Sequence, residues 1–157
     1  LNDSKKLTAE KRETLFPMIR EQSVAWSLGL AWSWEIDRIN ILQATLRAMA
    51  RAVHALKTRP ASLAVDGNQA VPLPLPQKAV VGGDALVPAI SAGSVLAKVA
   101  RDREMERLDV LYPGYGLAVH KGYPTRDHLE ALRALGPSPI HRRSFRPVRE
   151  LLDRAAV

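Results

Sequence analysis

Two short apolar runs that each lead to an aspartate constrain the fold of this chain more than any other feature. The runs cover residues 63–65 and 79–81, and the aspartates are Asp66 and Asp84. Short apolar runs bounded by turn residues are typical of buried strands. Asp-Gly and Gly-Gly-Asp are also common turn sequences, which is the simpler explanation of the two carboxylates. The alternative is that two neighbouring strands end side by side and bring both carboxylates to one divalent cation, because Mg²⁺ and Mn²⁺ prefer oxygen ligands.

Helical patterns lie on both sides of these runs. Residues 40–57 carry an apolar stripe at spacings of four and three, with Asn40 as N-cap and Gln43 at the capping-box position. A second long helix is predicted over residues 88–111, its first half rich in small side chains, and shorter helices are predicted after Thr8, after Thr125 and at the C-terminus. Residues 24–31 alternate in polarity, which predicts a further strand. Strands alternating with helices indicate an α/β layered fold.

The charge balance indicates a polyanionic partner. Lys and Arg number 23 against 16 Asp and Glu, which gives a net charge of +7, and nucleic acid is a better match than an anionic membrane. The basic residues form three clusters, around Lys5 and Lys6, at Lys121, and at Arg142 and Arg143. Any one such cluster is ordinarily a solvated face. Tyr123 and Phe145 lie among them, however, and an aromatic ring beside a cation can stack on a base or sugar.

Other chemistry is weakly represented. The chain has no cysteine, so disulfides and thiolate metal sites are excluded. The four histidines show no ligand spacing, and phosphate-loop and nucleophile-elbow motifs are absent from the sequence. Asp37, Asp102 and Glu104 are expected to be solvated or ion-paired. No apolar run approaches the roughly 18 residues of a membrane span, and the length of 157 residues suits one domain.

Six blocks in order resemble bacterial ribonuclease HII over nearly the whole chain. They are "LNDSKKLTAEKRE", "EIDRINILQATLRAM", "VDGN", "GDALVPAISAGSVLAKVARDREM", "YPGYGLAVHKGYPTRDHL" and "HRRSF". The resemblance implies a ribonuclease H-like α/β fold, a mixed sheet flanked by helices, in a single domain over residues 1–157. Residues 113–157 would form a C-terminal loop and helix segment that binds substrate.

The same resemblance implies an activity and its requirements. The family hydrolyses the RNA strand of RNA–DNA hybrids and incises at ribonucleotides embedded in duplex DNA, using Mn²⁺ or Mg²⁺ and leaving 5′-phosphate and 3′-hydroxyl ends. We therefore expect a cytoplasmic monomer that acts on such duplexes and has no membrane partner.

Particular residues match the family's motifs. Asp66 of "VDGN" and Asp84 of "GDALVP" match two metal-binding catalytic acids, and Tyr123 of "HKGY" matches a tyrosine that packs on the sugar beside the ribonucleotide. Lys121, Lys5, Lys6, Arg142 and Arg143 are the expected contacts to the nucleic-acid backbone. The family's Asp-Glu-Ala-Gly-Arg-Gly motif, which holds two further acids, has no counterpart in this sequence. The first strands of the fold are thus expected to be absent, and the alternative to an enzyme is a catalytically incomplete fragment that binds hybrids or duplexes.

Overall fold

The computed structural model describes residues 7–155, which form two compact units. The strand unit contains the described residues up to 31 together with Thr45–Ala100, and the helical unit contains Trp32–Ala44 and the described residues from 101 onward. The single domain expected from the length stays a prediction. Among the described residues the elements are α1 (Ala9–Gln22), α2 (Ser33–His54), β1 (Leu63–Asp66), β2 (Gln77–Val80), α3 (Gly83–Leu86), α4 (Pro88–Leu111), α5 (Leu117–His120), α6 (Arg126–Leu135) and α7 (Arg146–Ala155).

The sheet of the strand unit consists of two parallel strands within residues 7–155. β1 and β2 pair in the register Leu63↔Gln77 to Asp66↔Val80. The predicted α/β class is confirmed. The resemblance implied a mixed sheet, of which the described residues contain this parallel pair of strands. Because the strands are parallel, their carboxyl ends lie at the same edge of the sheet.

The proline-spaced loop between the two strands is fixed by one side chain. Gln77 accepts a hydrogen bond from the Val71 backbone N–H at 2.7 Å and donates to the carbonyl oxygens of Val71 and Leu73 at 2.9 and 3.2 Å. Val71 itself is buried. The loop therefore returns the chain to the start of β2 without a crossover helix.

The strand predicted over residues 24–31 is wrong, since this segment has no regular secondary structure. It lies instead against the second half of α2. Ser27 donates a hydrogen bond to the Ala52 carbonyl at 2.5 Å, and Arg51 donates to the Leu30 carbonyl at 2.6 Å. A Cβ on Gly29 would lie 1.8 Å from the Ala48 carbonyl oxygen, so the segment approaches the helix as closely as only glycine permits. Alternation in the sequence indicated two faces, but the partner is a helix surface and not a strand.

The core of the strand unit joins α1 to the first half of α4. Phe16 and Ile19 of α1 pack with Val95, Leu96 and Val99. Thr8 caps α1 by accepting from the Lys11 N–H at 3.2 Å, as predicted, and the helix continues past Pro17 to Gln22. Burying this apolar cluster is the main stabilising term for the unit.

Asn40 divides α2 into two helical parts. Its backbone is non-helical (φ 66°, ψ 167°), and its Oδ1 accepts from the Gln43 N–H at 3.0 Å. The predicted cap is therefore confirmed for the second part. The first part, which begins at Ser33, was not predicted.

The helical unit has its own core beneath the loops that follow α4. Its buried members are Met105, Leu108, Tyr115, Leu117, Leu132 and Val148. The predicted long helix is confirmed as Pro88–Leu111, and Thr125 caps α6 by accepting from the His128 N–H at 3.3 Å. These elements position the turn at residues 120–125 and the loop at residues 138–145.

Candidate functional site

The carboxyl edge of the sheet brings Asp66 and Asp84 to neighbouring positions. Asp66 is the last residue of β1, and its Oδ1 accepts a hydrogen bond of 2.9 Å from the backbone N–H of Gly83. Asp84 is the next residue, in the first turn of α3. The structure therefore connects the two predicted carboxylates through one hydrogen bond and one peptide unit.

Glycine before Asp84 lets this turn lie close to its neighbours, because a larger residue would displace the Ile90 side chain. A Cβ on Gly83 would lie 2.6 Å from the Ile90 side chain, 3.3 Å from Val80 and 3.4 Å from Asp66 Oδ1. The preceding Gly82 has a positive φ of 67°, which turns the chain from β2 into α3. The Gly-Gly-Asp sequence thus forms the turn that the sequence suggested, and Asp84 follows directly after the glycine that contacts Asp66.

The donor chemistry at this edge fits a hard divalent cation. Asp66 is exposed and Asp84 is half-buried, so water also reaches the edge. Mg²⁺ commonly binds to one or two carboxylates and retains several waters. Within residues 7–155, no group of three or more His, Cys, Asp or Glu side chains is arranged to hold a metal ion. Asp66 and Asp84 could supply two carboxylate ligands to such an ion, with water completing its coordination.

A separate surface lies in the helical unit, where Tyr123 projects into solvent. The residue is 64% exposed. Its N–H donates to the His120 carbonyl at 2.9 Å, and its carbonyl accepts from the Thr125 N–H at 2.8 Å. The turn before it contains two positive φ angles, 52° at Lys121 and 82° at Gly122. The ring is thus mounted on a hydrogen-bonded turn and is accessible to a ligand.

Lys121 differs from the sequence expectation of a cation open to phosphate. Its ammonium contacts Glu106 at 2.6 Å and the Asp102 carbonyl at 3.3 Å, and its side chain is 18% exposed. Contact with a phosphate would require exchange of this ion pair. The lysine therefore links the Tyr123 turn to α4.

Arg142 and Arg143 lie in a loop that Asp37 holds. Asp37 accepts from the Arg143 N–H at 2.8 Å and from the Ser144 N–H and hydroxyl at 2.8 and 2.6 Å. Burial raises the pKa of Asp37, but the Ser144 hydroxyl, these two backbone N–H groups and the Arg142 charge together lower it below its ordinary value. The Arg142 guanidinium lies 5.1 Å from the Phe145 ring centroid. Asp37 therefore holds the basic loop through backbone groups. The Arg143 side chain takes no part in these hydrogen bonds and is exposed to solvent.

Arg101 belongs to the same surface and was missed from the sequence. Its guanidinium lies 3.3 Å from where a Cβ of Gly122 would be. Arg101 as a whole residue is exposed, but its guanidinium group has many protein atoms around it. Burial of that group is the larger cause that lowers the pKa of Arg101, and the charge of Arg142 is the second. The residue is adjacent in the chain to Asp102 and had the appearance of an ordinary charged helix face, so no sequence signal distinguished it.

Lys5 and Lys6 lie outside the described residues. Glu104 pairs with Arg107 at 2.8 Å, and the hydrogen bond from Arg107 lowers the pKa of Glu104, which confirms the expected ion pair. In the part of the chain that the structure covers, no helix combines the length and apolarity that crossing a membrane requires.

Three of the four histidines meet in the helical unit, although their spacing gave no indication of it. The His120 and His128 rings stack with centroids 4.1 Å apart, and His128 Nε2 lies 3.3 Å from His141 Nε2. His120 and His128 are buried. Burial also lowers the pKa of His128 and of His141. The cluster lies directly beneath the Tyr123 turn.

An α/β fold with two carboxylates near a strand end, and basic and aromatic side chains elsewhere in the chain, is typical of enzymes that process nucleic acids. The comparisons are more specific. The sequence matches the model of the family "Ribonuclease HII" over residues 1–148. The structure is similar to the "crystal structure of the ribonuclease H2 from Pyrococcus horikoshii OT3", with a TM-score of 0.79 and 27% identity over 97% of this chain and 80% of that chain. The chain belongs to the ribonuclease HII family, and it is accordingly a ribonuclease, a hydrolase.

Proposed function

We propose that this chain is a bacterial, cytoplasmic, monomeric endoribonuclease that acts on RNA–DNA hybrids and on DNA duplexes with embedded ribonucleotides. Its reaction is hydrolysis of a phosphodiester bond, dependent on Mn²⁺ or Mg²⁺, which leaves 5′-phosphate and 3′-hydroxyl ends. The observation that supports the proposal is the hydrogen bond between Asp66 and the Gly83 N–H, because Gly83 is the residue directly before Asp84.

Asp66 and Asp84 are the proposed catalytic residues and metal ligands. A divalent cation bound there would supply charge stabilisation and a more acidic water for attack at phosphorus. Asp66 keeps one oxygen on the Gly83 N–H, which orients the carboxylate and leaves the other oxygen for a ligand. The short turn from Gly82 to Asp84 fixes the backbone that carries the second carboxylate.

The helical unit supplies the proposed contacts to nucleic acid. Tyr123 would pack on a sugar through its exposed ring, and Arg142 and Arg143 would contact phosphates, which position a duplex without specifying its bases. Lys121 would contribute after releasing Glu106, and Lys5 and Lys6 complete the proposed set of cations. Discrimination of RNA from DNA would depend on the 2′-hydroxyl.

A second candidate is a hybrid- or duplex-binding protein without catalysis. It is favoured by the small number of carboxylates that converge, since among residues 7–155 no third acidic or histidine ligand joins Asp66 and Asp84. Two carboxylates bind Mg²⁺ weakly, because the ion gives up its waters reluctantly. The two candidates share the duplex surface and differ only in cleavage.

The test compares cleavage with binding on the same substrates. The purified chain is incubated with a labelled RNA–DNA hybrid and with a DNA duplex that contains one ribonucleotide, in Mn²⁺, in Mg²⁺ and in EDTA. We expect cleavage only with metal. Asp66→Asn should retain the hydrogen bond from Gly83 and the fold, bind in EDTA as tightly as the unsubstituted chain, and lose at least about 10²-fold in rate, more than typical losses of supporting groups around a metal.

The matched control is Asp153→Asn, the same chemical change at an exposed residue of α7. It should cleave at the unsubstituted rate. Binding of both duplexes by the unsubstituted chain with no cleavage in either metal would establish the second candidate. Normal cleavage by Asp66→Asn would remove that residue from the site.

A further inference from the structure

The hydrogen bonds around the three clustered histidines admit one arrangement of protons. His128 Nδ1 lies 2.9 Å from the Tyr123 carbonyl, and His120 Nε2 lies 2.7 Å from the Tyr115 carbonyl. A carbonyl oxygen only accepts, so each of these nitrogens carries a proton. His120 Nδ1 accepts from the Gly122 N–H at 3.1 Å. This histidine is therefore satisfied on both sides as the neutral Nε2–H tautomer.

The same reasoning fixes the third ring. His141 Nδ1 accepts from the Ser138 N–H at 3.1 Å and lies 2.8 Å from the Ser138 hydroxyl, so it carries no proton. The neutral His141 ring then has its proton on Nε2 and donates to the bare Nε2 of His128 at 3.3 Å. Each ring nitrogen in the cluster has a compatible partner when all three rings are neutral.

Adding a proton to the cluster breaks a contact. A proton on His128 Nε2 would face the N–H of His141, and a proton on Nδ1 of His120 or His141 would face a backbone N–H. Two titratable groups face His128: His120, whose ring stacks on it, and His141, whose ring is hydrogen-bonded to it. The Tyr115 ring lies against His141, with the two ring centroids 4.9 Å apart. A cation in this cluster would meet further histidines, and burial of His128 and His141 disfavours the charge as well.

The cluster lies between two parts of the surface assigned to nucleic acid. On one side, His128 bonds the carbonyl of Tyr123. On the other, His141 begins the loop that continues into Arg142 and Arg143, and its backbone N–H donates to the Ser138 carbonyl at 3.0 Å. Two hydrogen bonds therefore connect the Tyr123 backbone to this loop. One joins the Tyr123 carbonyl to the His128 ring, and the other joins the His128 and His141 rings.

We propose that His128 is a positioning residue that couples Tyr123 to the basic loop at Arg142 and Arg143 through His141, and that this coupling holds only while the histidines are neutral. The proposal rests on the proposed function, which assigns nucleic-acid contacts to both sides of the cluster. The expected effect of histidine protonation on binding is opposite to the usual one. Protonated histidines ordinarily add positive charge and tighten binding to a polyanion, whereas here protonation separates the two contact surfaces.

The first measurement is the ratio of affinities for a ribonucleotide-containing duplex and the same duplex in all-DNA form, by fluorescence anisotropy in EDTA, from about pH 7.5 to about pH 5.5. The ratio should fall on acidification by about two- to tenfold, the effect of losing roughly one hydrogen bond. His128→Asn, which keeps an N–H toward the Tyr123 carbonyl but loses the acceptor for His141, should give the low ratio at every pH. His141→Gln, which keeps an N–H toward His128, should retain more of the ratio.

The control is His54→Asn, since His54 is exposed at the end of α2. It should leave the ratio and its pH dependence unchanged. A ratio above one that stays constant with pH in the unsubstituted chain, or a His128→Asn variant whose ratio still falls on acidification, would overturn the proposal.

A second measurement separates the cluster from substrate binding. Nitrogen-15 NMR of the free chain reports the tautomer of each histidine, and we expect Nδ1–H at His128 and Nε2–H at His120 and His141. The amide resonances of Tyr123 and Arg142 should titrate together with the His128 ring. If the chain shows no ribonucleotide preference at any pH, the role of Tyr123 in the proposed function fails. The coupling between Tyr123 and the basic loop is then still established if the Tyr123 and Arg142 amides titrate together with His128. An Nε2–H tautomer at His128, or independent titration of the two amides, refutes it.

Discussion

Substitution of Gly29 by alanine tests how the segment at residues 24–31 is held. The structure places the Gly29 Cα so near α2 that an added Cβ would lie 1.8 Å from the Ala48 carbonyl oxygen and 2.7 Å from the Ala52 nitrogen. Both atoms belong to the helix backbone, which cannot rotate away as a side chain can. The segment itself must therefore move off the helix.

The cost follows from what that movement disturbs. Overpacking of a well-packed contact costs about 1–3 kcal/mol. The displacement also lengthens the hydrogen bonds from Ser27 to the Ala52 carbonyl and from Arg51 to the Leu30 carbonyl, each contributing about 1 kcal/mol. We expect Gly29→Ala to lower the free energy of unfolding by about 2–4 kcal/mol, since the hydrogen bonds weaken and are not all lost.

Gly93 offers a matched control in the same unit. It lies inside α4, and a Cβ there would meet no atom within 4 Å outside the helix's own backbone. Alanine loses less backbone entropy than glycine on forming a helix, so Gly93→Ala should raise the free energy of unfolding by about 0.5–1 kcal/mol. The same chemical change is thus expected to have opposite signs at the two positions.

Urea unfolding, followed by far-ultraviolet circular dichroism at fixed pH and salt, measures both variants against the unsubstituted chain. The midpoint should decrease for Gly29→Ala and increase for Gly93→Ala, with similar slopes. A Gly29→Ala chain as stable as the unsubstituted one would show that the segment does not lie on α2. It would also reopen the interpretation of residues 24–31 as a strand.

Two further predictions concern the helical unit. Asp37→Ala removes the acceptor of three hydrogen bonds and should lower the free energy of unfolding by about 1–3 kcal/mol, with a smaller loss for Asp37→Asn, in urea unfolding at neutral pH. Because the folded pKa of Asp37 is depressed, its contribution should be complete above the unfolded pKa and disappear as pH falls through the folded pKa; an unchanged difference between Asp37→Ala and the parent chain at the acid end would contradict this. Tyr123→Ala should weaken binding to a duplex with one ribonucleotide by about 1–3 kcal/mol and to a long hybrid by less, with Tyr123→Phe close to the parent in anisotropy titrations. Equal losses on both duplexes would speak against contact at the junction.

Local chemistry made several parts of the fold predictable. Thr8, Asn40 and Thr125 cap helices through hydrogen bonds to residues three positions later, and such contacts are visible in the sequence because both partners are close in the chain. The alternation of strands with helices indicated the α/β class, and the six sequence blocks indicated the ribonuclease HII family, which the comparisons confirm. The roles of Asp66, Asp84 and Tyr123 stay predictions.

Long-range contacts decided what the sequence left open. The alternation over residues 24–31 defines two faces in any extended chain, and only the packing of Gly29 on α2 shows that its partner is a helix. Asp37 had the appearance of a solvated carboxylate, yet it binds the backbone of Arg143 and Ser144, more than 100 positions later.

The histidine cluster shows the same separation most clearly. Nothing in the spacing of His120, His128 and His141 predicts a stacked and hydrogen-bonded group, because the His128 ring of α6 meets His120 of α5 and His141 of the following loop only in the folded chain. Capping and amphipathic patterns act between neighbours in sequence, so the amino-acid order determines them directly. A hydrogen bond between distant residues depends on the path of all the chain between them, and for that reason only the tertiary structure determined it.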